Sequence, residues 1–180
     1  MSRSLAKSAR VPAVLALAAI AACVVNLDFN YTQANQVVQA TATNNQISTT
    51  VLVDLSNQPD IQAHASSIES LSLNNLTLTI TAVQSDNSIQ SVTGSLYLRP
   101  STATDASQDV LVGALNNFSV AANSTVTVTG SAALDAFALS TVKGSRKFYA
   151  VISGTVTGGA TADFTADVAV SCSMGYDTGI

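Results

Sequence analysis

The chain has 180 residues, 47% of them hydrophobic, 10% charged and 5% aromatic, with no Trp, one His, two Cys and a formal net charge of −4. That length suits one domain with a substantial core, and the acidic balance excludes the basic footprint a nucleic-acid partner needs. One His and two widely separated Cys are too few for a zinc or copper centre, and the shortage of aromatic rings counts against a sugar-binding platform or an aromatic-anchored interface.

The first segment reads as an address. Arg3, Lys7 and Arg10 form a basic head, and the apolar stretch Val11 to Val25 is shorter than the roughly 20 residues a membrane-spanning helix needs. It closes on Ile20-Ala21-Ala22-Cys23. Small residues before a Cys, at the end of an apolar run behind a charged head, resemble the signal and lipobox of bacterial lipoproteins. The resemblance covers only the first 23 residues. It implies cleavage between Ala22 and Cys23, a diacylglycerol on the Cys23 thiol, and palmitate-type acyl chains that tie the domain to a membrane. Residues 1–22 are then the signal peptide and 23–180 a single domain. Val24 rather than Asp after the Cys implies, by the sorting rules of enterobacterial lipoproteins, the outer membrane.

A rival stands at the same place, because Ala19-Ile20-Ala21 also satisfies the small-x-small rule of an ordinary secretory signal. Under that reading Cys23 keeps its thiol, and a disulfide from Cys23 to Cys172 would close nearly the whole domain, worth about 4–5 kcal/mol in the chain-entropy model. Under the lipid reading Cys172 has no such partner and is a small apolar residue at a strand end. Both readings export the protein. Because three of the seven cations leave with the signal, four face eleven acids in the remaining 158 residues, a formal charge of −7. An electrostatic grip on anionic lipid is thereby disfavoured.

The rest alternates. Val25-Asn26-Leu27-Asp28-Phe29-Asn30-Tyr31 has strict period two, the mark of a half-buried strand, and Val37 to Thr43 is a weaker strand. Val51 to Leu55 is the next. Pro59 to Leu71 breaks the period, with Ile61, Ala65, Ile68 and Leu71 at helical spacing, Pro in the first turn and Asp60 on the helix dipole. Strands resume at Leu76 to Ala82, Val92 to Leu98, Asp109 to Leu115 and Ser124 to Thr129. A second helix is expected over Ser131 to Val142, with Ser131 as N-cap, Lys143 in the last turn and Gly144 as C-cap. Lys147 to Val156 and Ala160 to Cys172 follow, joined by Thr157-Gly158-Gly159, a hairpin signal. Leu73-Asn74-Asn75-Leu76 and Leu115-Asn116-Asn117-Phe118 echo one another, too briefly to be a repeat. The sum is an all-β fold, an antiparallel β-sandwich (immunoglobulin-like or similar) of eight or nine strands, with one or two short helices plugging its ends.

Chemistry is hard to find. His64 has no Ser and acid at triad spacing. Asp163 and Asp167 share a strand face at about 13 Å, too far apart for a glycosidase pair. Asp105 and Asp109 sit in a loop that could touch calcium, although it lacks the Gly and terminal Glu of a recognised calcium loop. Lys143-Gly144-Ser145-Arg146-Lys147 gathers three cations, better explained by a helix C-terminus than by a phosphate. No catalytic residue, metal site or cofactor is expected. The reading is a non-enzymatic, lipid-anchored envelope protein, a structural or interaction module whose partners are the membrane, through Cys23, and an unidentified envelope protein. A periplasmic carrier of apolar ligands and a secreted, adhesin-like domain are the alternatives.

Overall fold

The computed structural model describes residues 24–178. Eight strands run in chain order: β1 (Val24–Thr41), β2 (Gln46–Asp54), β3 (Ile68–Val83), β4 (Ile89–Pro100), β5 (Val110–Ser119), β6 (Thr125–Thr129), β7 (Lys147–Gly158) and β8 (Thr161–Asp177). Helix α1 (Pro59–His64) joins β2 to β3, helix α2 (Ala132–Lys143) joins β6 to β7, and a 3₁₀ turn at Ala106–Gln108 lies between β4 and β5.

The strands form two antiparallel four-stranded sheets, ordered β1-β8-β3-β6 and β2-β7-β4-β5. The expected sandwich is the fold. Of neighbours in sequence only β4 and β5 pair; every other connection crosses from one sheet to the other. That connectivity is a jelly roll rather than an immunoglobulin arrangement. Each sheet gives one face to the core. On β8, Ala162, Phe164, Ala166, Val168, Val170, Cys172 and Met174 point inward, each at most 4% exposed, while Asp163, Thr165 and Asp167 alternate outward. Leu76, Leu78 and Ile80 of the neighbouring β3 share that inner face, and Leu96 and Leu98 of β4 meet it across the interior.

Several elements differ from the sequence expectation for identifiable reasons. The strand at Val25 to Tyr31 and the weaker one from Val37 are one strand, β1, broken by a bulge between Gln33 and Gln36. There Ala34 and Asn35 face the single residue Asp167, and Asn35 takes a left-handed backbone with φ of 56°. The first helix stops at His64 instead of Leu71, and β3 begins at Ile68. A bulge at Glu69 puts both Ile68 and Leu71 on the inner face, so a strand imitates helical spacing. The Gly158-Gly159 segment makes no hairpin, because β7 and β8 lie in different sheets. Gly158, at φ of 89°, turns the chain across the gap instead.

Alternating strand directions put α1, α2 and the Ala106–Gln108 turn at one end of the sandwich, together with the start of β1 and the end of β8. The other end holds tight turns. Between β1 and β2, Thr43 and Gln46 exchange backbone hydrogen bonds of 2.9 Å around Asn44 and Asn45, whose φ angles of 52° and 60° make a type I′ turn. Both helices therefore plug the same end of the sandwich, not one end each.

Candidate functional site

Ala22 and Cys23, the residues of the expected cleavage and lipidation, lie outside the described residues. The end of the domain to which they are joined is described. β1 enters at Val24, opposite Asp177 of β8, and Val25 lies opposite Tyr176. The Tyr31 hydroxyl reaches the Asp54 carbonyl at 2.8 Å and Gln33 Oε1 at 2.7 Å, so β2 stops level with Tyr31. Before Tyr31 the strand stays paired with β8, Phe29 is buried at 4% exposed, and only the tip is open, where Val24 is 53% and Val25 41% exposed. Burial, and after it the Asp54 charge, push the Tyr31 hydroxyl pKa up.

Helix α1 meets this end of the domain through β8. Gln58 caps the helix by accepting from the Ile61 N–H at 2.9 Å, Pro59 starts it, and Ile61 is fully buried. Its last residue, His64, lays its ring on Tyr176 with centroids 3.8 Å apart and planes 24° from parallel. His64 thus packs an aromatic partner at the domain end. Tyr176 is missed by the sequence reading, which takes Val24 only as the residue after Cys23 and Val25 only as the start of a strand, although two apolar residues in succession interrupt the alternation there.

The acids singled out from sequence are engaged elsewhere. Asp109 accepts from Arg99 with both oxygens, at 2.6 Å from Nε and 2.8 Å from Nη2, and Asp105 accepts from the Ser107 N–H at 2.8 Å. The partner Asp109 holds the Arg99 pKa above its ordinary value, while bonds from Ser107 lower that of Asp105. Asp167 accepts the Asn35 N–H of the β1 bulge at 2.8 Å, and Asp163 accepts from Gln39 Nε2 at 3.2 Å. Among the described residues no three His, Cys, Asp or Glu side chains gather as metal ligands would.

The basic run also separates. Lys143 ends α2, Gly144 caps it by donating to the Ser140 and Thr141 carbonyls, and Arg146 holds a left-handed backbone with φ of 59°. Lys147 pairs with Asp54 at 2.7 Å. With Lys147 and Ser56 as hydrogen-bond partners, Asp54 has its pKa lowered to about 2. Cys172 is a free, buried thiol opposite Phe29; burial, and then the Asp135 carboxylate, push its pKa up to about 12. Asp135 itself reaches across from α2 to accept the Leu73 N–H at 2.8 Å.

The interior is filled. Between the sheets, one void of about 20 Å³ lies among Leu71, Leu76, Phe137, Phe148 and Cys172, and one of about 10 Å³ among Ile47, Ile89, Phe118 and Phe164. The larger hollows open to solvent; one of about 420 Å³ runs along α2 between Pro100, Val110, Ala133 and Ser140 and is lined by no charged side chain.

No family model matches the sequence, and no curated protein matches it. Two solved structures are similar in fold at a distance. A chain from infectious bursal disease virus, Gx strain, is 10% identical with a TM-score of 0.38; the match covers 86% of this chain and 33% of the viral one. The chain therefore spans about a third of that protein's length. A chain from Desmodium yellow mottle tymovirus is 12% identical with a TM-score of 0.38, the match covering 98% of this chain and 96% of that one.

Proposed function

We propose that this chain is an exported, non-enzymatic lipoprotein of a bacterial cell envelope, held to the outer membrane by a diacylglyceryl Cys23 and offering its sandwich surface to another envelope protein. The observation that carries the reading is Ile20-Ala21-Ala22-Cys23 closing a short apolar run behind Arg3, Lys7 and Arg10. Magnitude supports permanence: at about 0.8 kcal/mol per buried methylene, two or three long acyl chains anchor a domain where a single one releases it.

The packed interior favours an interaction module over a carrier of apolar ligands. Voids of about 20 and 10 Å³ hold a water at most, against the several hundred Å³ a lipid-sized ligand occupies. The engagement of Asp105, Asp109, Asp163 and Asp167 with structural partners supports the non-enzymatic part of the reading.

The test is the intact mass of the protein taken from the membranes of an expressing bacterium. The expected mass is that of residues 23–180 plus two or three acyl chains, and Cys23→Ser yields unacylated protein. A wild-type chain that begins at Ala22 with no acyl group sinks the anchor.

A further inference from the structure

Building on the lipid-anchor reading, we infer that the domain stands directly on the bilayer, with the end formed by Val24, Val25, His64 and Tyr176 pressed against the lipid headgroups. The first argument is reach. Cys23 is one peptide bond, about 3.8 Å between Cα atoms, from Val24, and Val24 is already in the ladder with Asp177. There is no leash between the acylated residue and the sheet, so the domain cannot swing its other faces to the membrane without leaving that rung.

The second argument is what this end presents. The start of β1 pairs with the end of β8 and exposes Val24 and Val25 at its tip. Beside them Tyr176 offers a ring with a polar hydroxyl, held by the stacked His64, and such amphipathic rings settle at the headgroup level. The opposite end is built of the polar turns around Asn44-Asn45, Gln84 to Ser88, Asn123 and Gly158-Gly159, and no exposed large hydrophobic side chain lies in them.

Charge sets the depth and the occupant. Glu69 and Asp177 stand at the same end, balanced by Lys143 at the end of α2 and Arg146 in the turn after it, and Arg99 and Lys147 are already paired with Asp109 and Asp54. Contact is therefore shallow and needs no anionic lipid. Phosphatidylcholine is enough.

The absence of Trp from the chain makes each introduced Trp the sole indole and a clean reporter. Full-length protein carrying Val25→Trp, Tyr176→Trp or, in the distant β3–β4 turn, Asp86→Trp is purified in its acylated form. Each is reconstituted into phosphatidylcholine vesicles with and without bromine on the upper part of the acyl chains, and its mass is measured. The expected result is loss of most Trp emission at positions 25 and 176 in brominated vesicles, with position 86 unchanged. Should loss of the His64 stack unfold Tyr176→Trp, Val25→Trp reads the same end from a side chain already 41% exposed. Acylated protein with position 25 unquenched, or with position 86 quenched as strongly, overturns the orientation and leaves the anchor standing. Unacylated protein overturns the anchor and the orientation with it.

Discussion

Lys147 and Asp54 join the ends of β7 and β2, and their pairing gives stability a dependence on pH whose sign follows from Asp54. Its folded pKa of about 2 lies below the ordinary value of about 3.9. The contribution is therefore complete above pH 4 and disappears as pH falls toward 2. Lys147 is 43% exposed, so solvent screens the pair and its worth is about 0.5 kcal/mol. Urea unfolding of Lys147→Met is expected to show that deficit at pH 6 and only a small part of it at pH 2; a deficit equal at both would remove the ion pair as its cause. Cys172 gives the second test at this scale. With its pKa at about 12, roughly one thiol in ten thousand is ionised at pH 8, so iodoacetamide is expected to leave the folded protein unlabelled and to label it in guanidinium. The Phe29–Cys172 rung is five rungs from the Val24–Asp177 rung, about 17 Å along the ladder, while a disulfide needs Cα atoms within about 7 Å. Reduction is accordingly expected to leave the mass unchanged; a gain of two hydrogens would contradict it.

Strands were legible in the sequence wherever period two ran unbroken, as in Val25 to Tyr31 and Ala162 to Val168, and were misread where a bulge inserts a residue. β3 shows why. Bulges at Glu69, Asn74 and Thr81 each let two inward residues stand three apart, in Ile68 to Leu71, Leu73 to Leu76 and Ile80 to Val83. The first mimicked a helix. The second, Leu73-Asn74-Asn75-Leu76, shares its form with Leu115-Asn116-Asn117-Phe118, where β5 is also bulged and Asn117 has φ of 50°. The echo seen in the sequence is thus a recurrent bulge rather than a repeat. Helix α2, by contrast, was legible to its caps, because Ser131 and Gly144 are local signals that need no tertiary partner. Asn residues carry the left-handed backbone at turns as well as bulges, which is testable at the type I′ turn of Asn44-Asn45. Replacing Asn45, at φ of 60°, by Val is expected to cost about 1–2 kcal/mol, and by Gly to be neutral or stabilising. Equal stability of Asn45→Val and Asn45→Gly in urea would show that the turn imposes no such demand.

Which sheet a strand joins was not legible, because alternation tells each strand to bury one face without naming its neighbours. The Gly158-Gly159 segment has hairpin chemistry, yet β7 pairs with β2 and β4 while β8 pairs with β1 and β3. The proposed anchor rests on a signal of the opposite kind, the short local string Ile20-Ala21-Ala22-Cys23, which names no tertiary neighbour and lies outside the described residues. This topology has a consequence for assembly. β8, far along the chain, is the strand that β1 and β3 both lean on, so the first sheet waits for it, and pairings of such long sequence separation fold slowly. Its inward residues Phe164, Val168, Val170 and Met174 are at most 4% exposed, and at about 1.5–3 kcal/mol for each they amount to roughly 6–12 kcal/mol, the whole stability of an ordinary domain. A chain stopped at Ala160 is therefore expected to lose cooperative urea unfolding altogether. Trimming the five-residue edge strand β6 through Val126→Ala and Val128→Ala, both only partly buried against the core, is expected to weaken the transition without abolishing it. Persistence of a sharp transition in the shortened chain would mean that the β2-β7-β4-β5 sheet folds alone, and that β8 is an addition to the core instead of its centre.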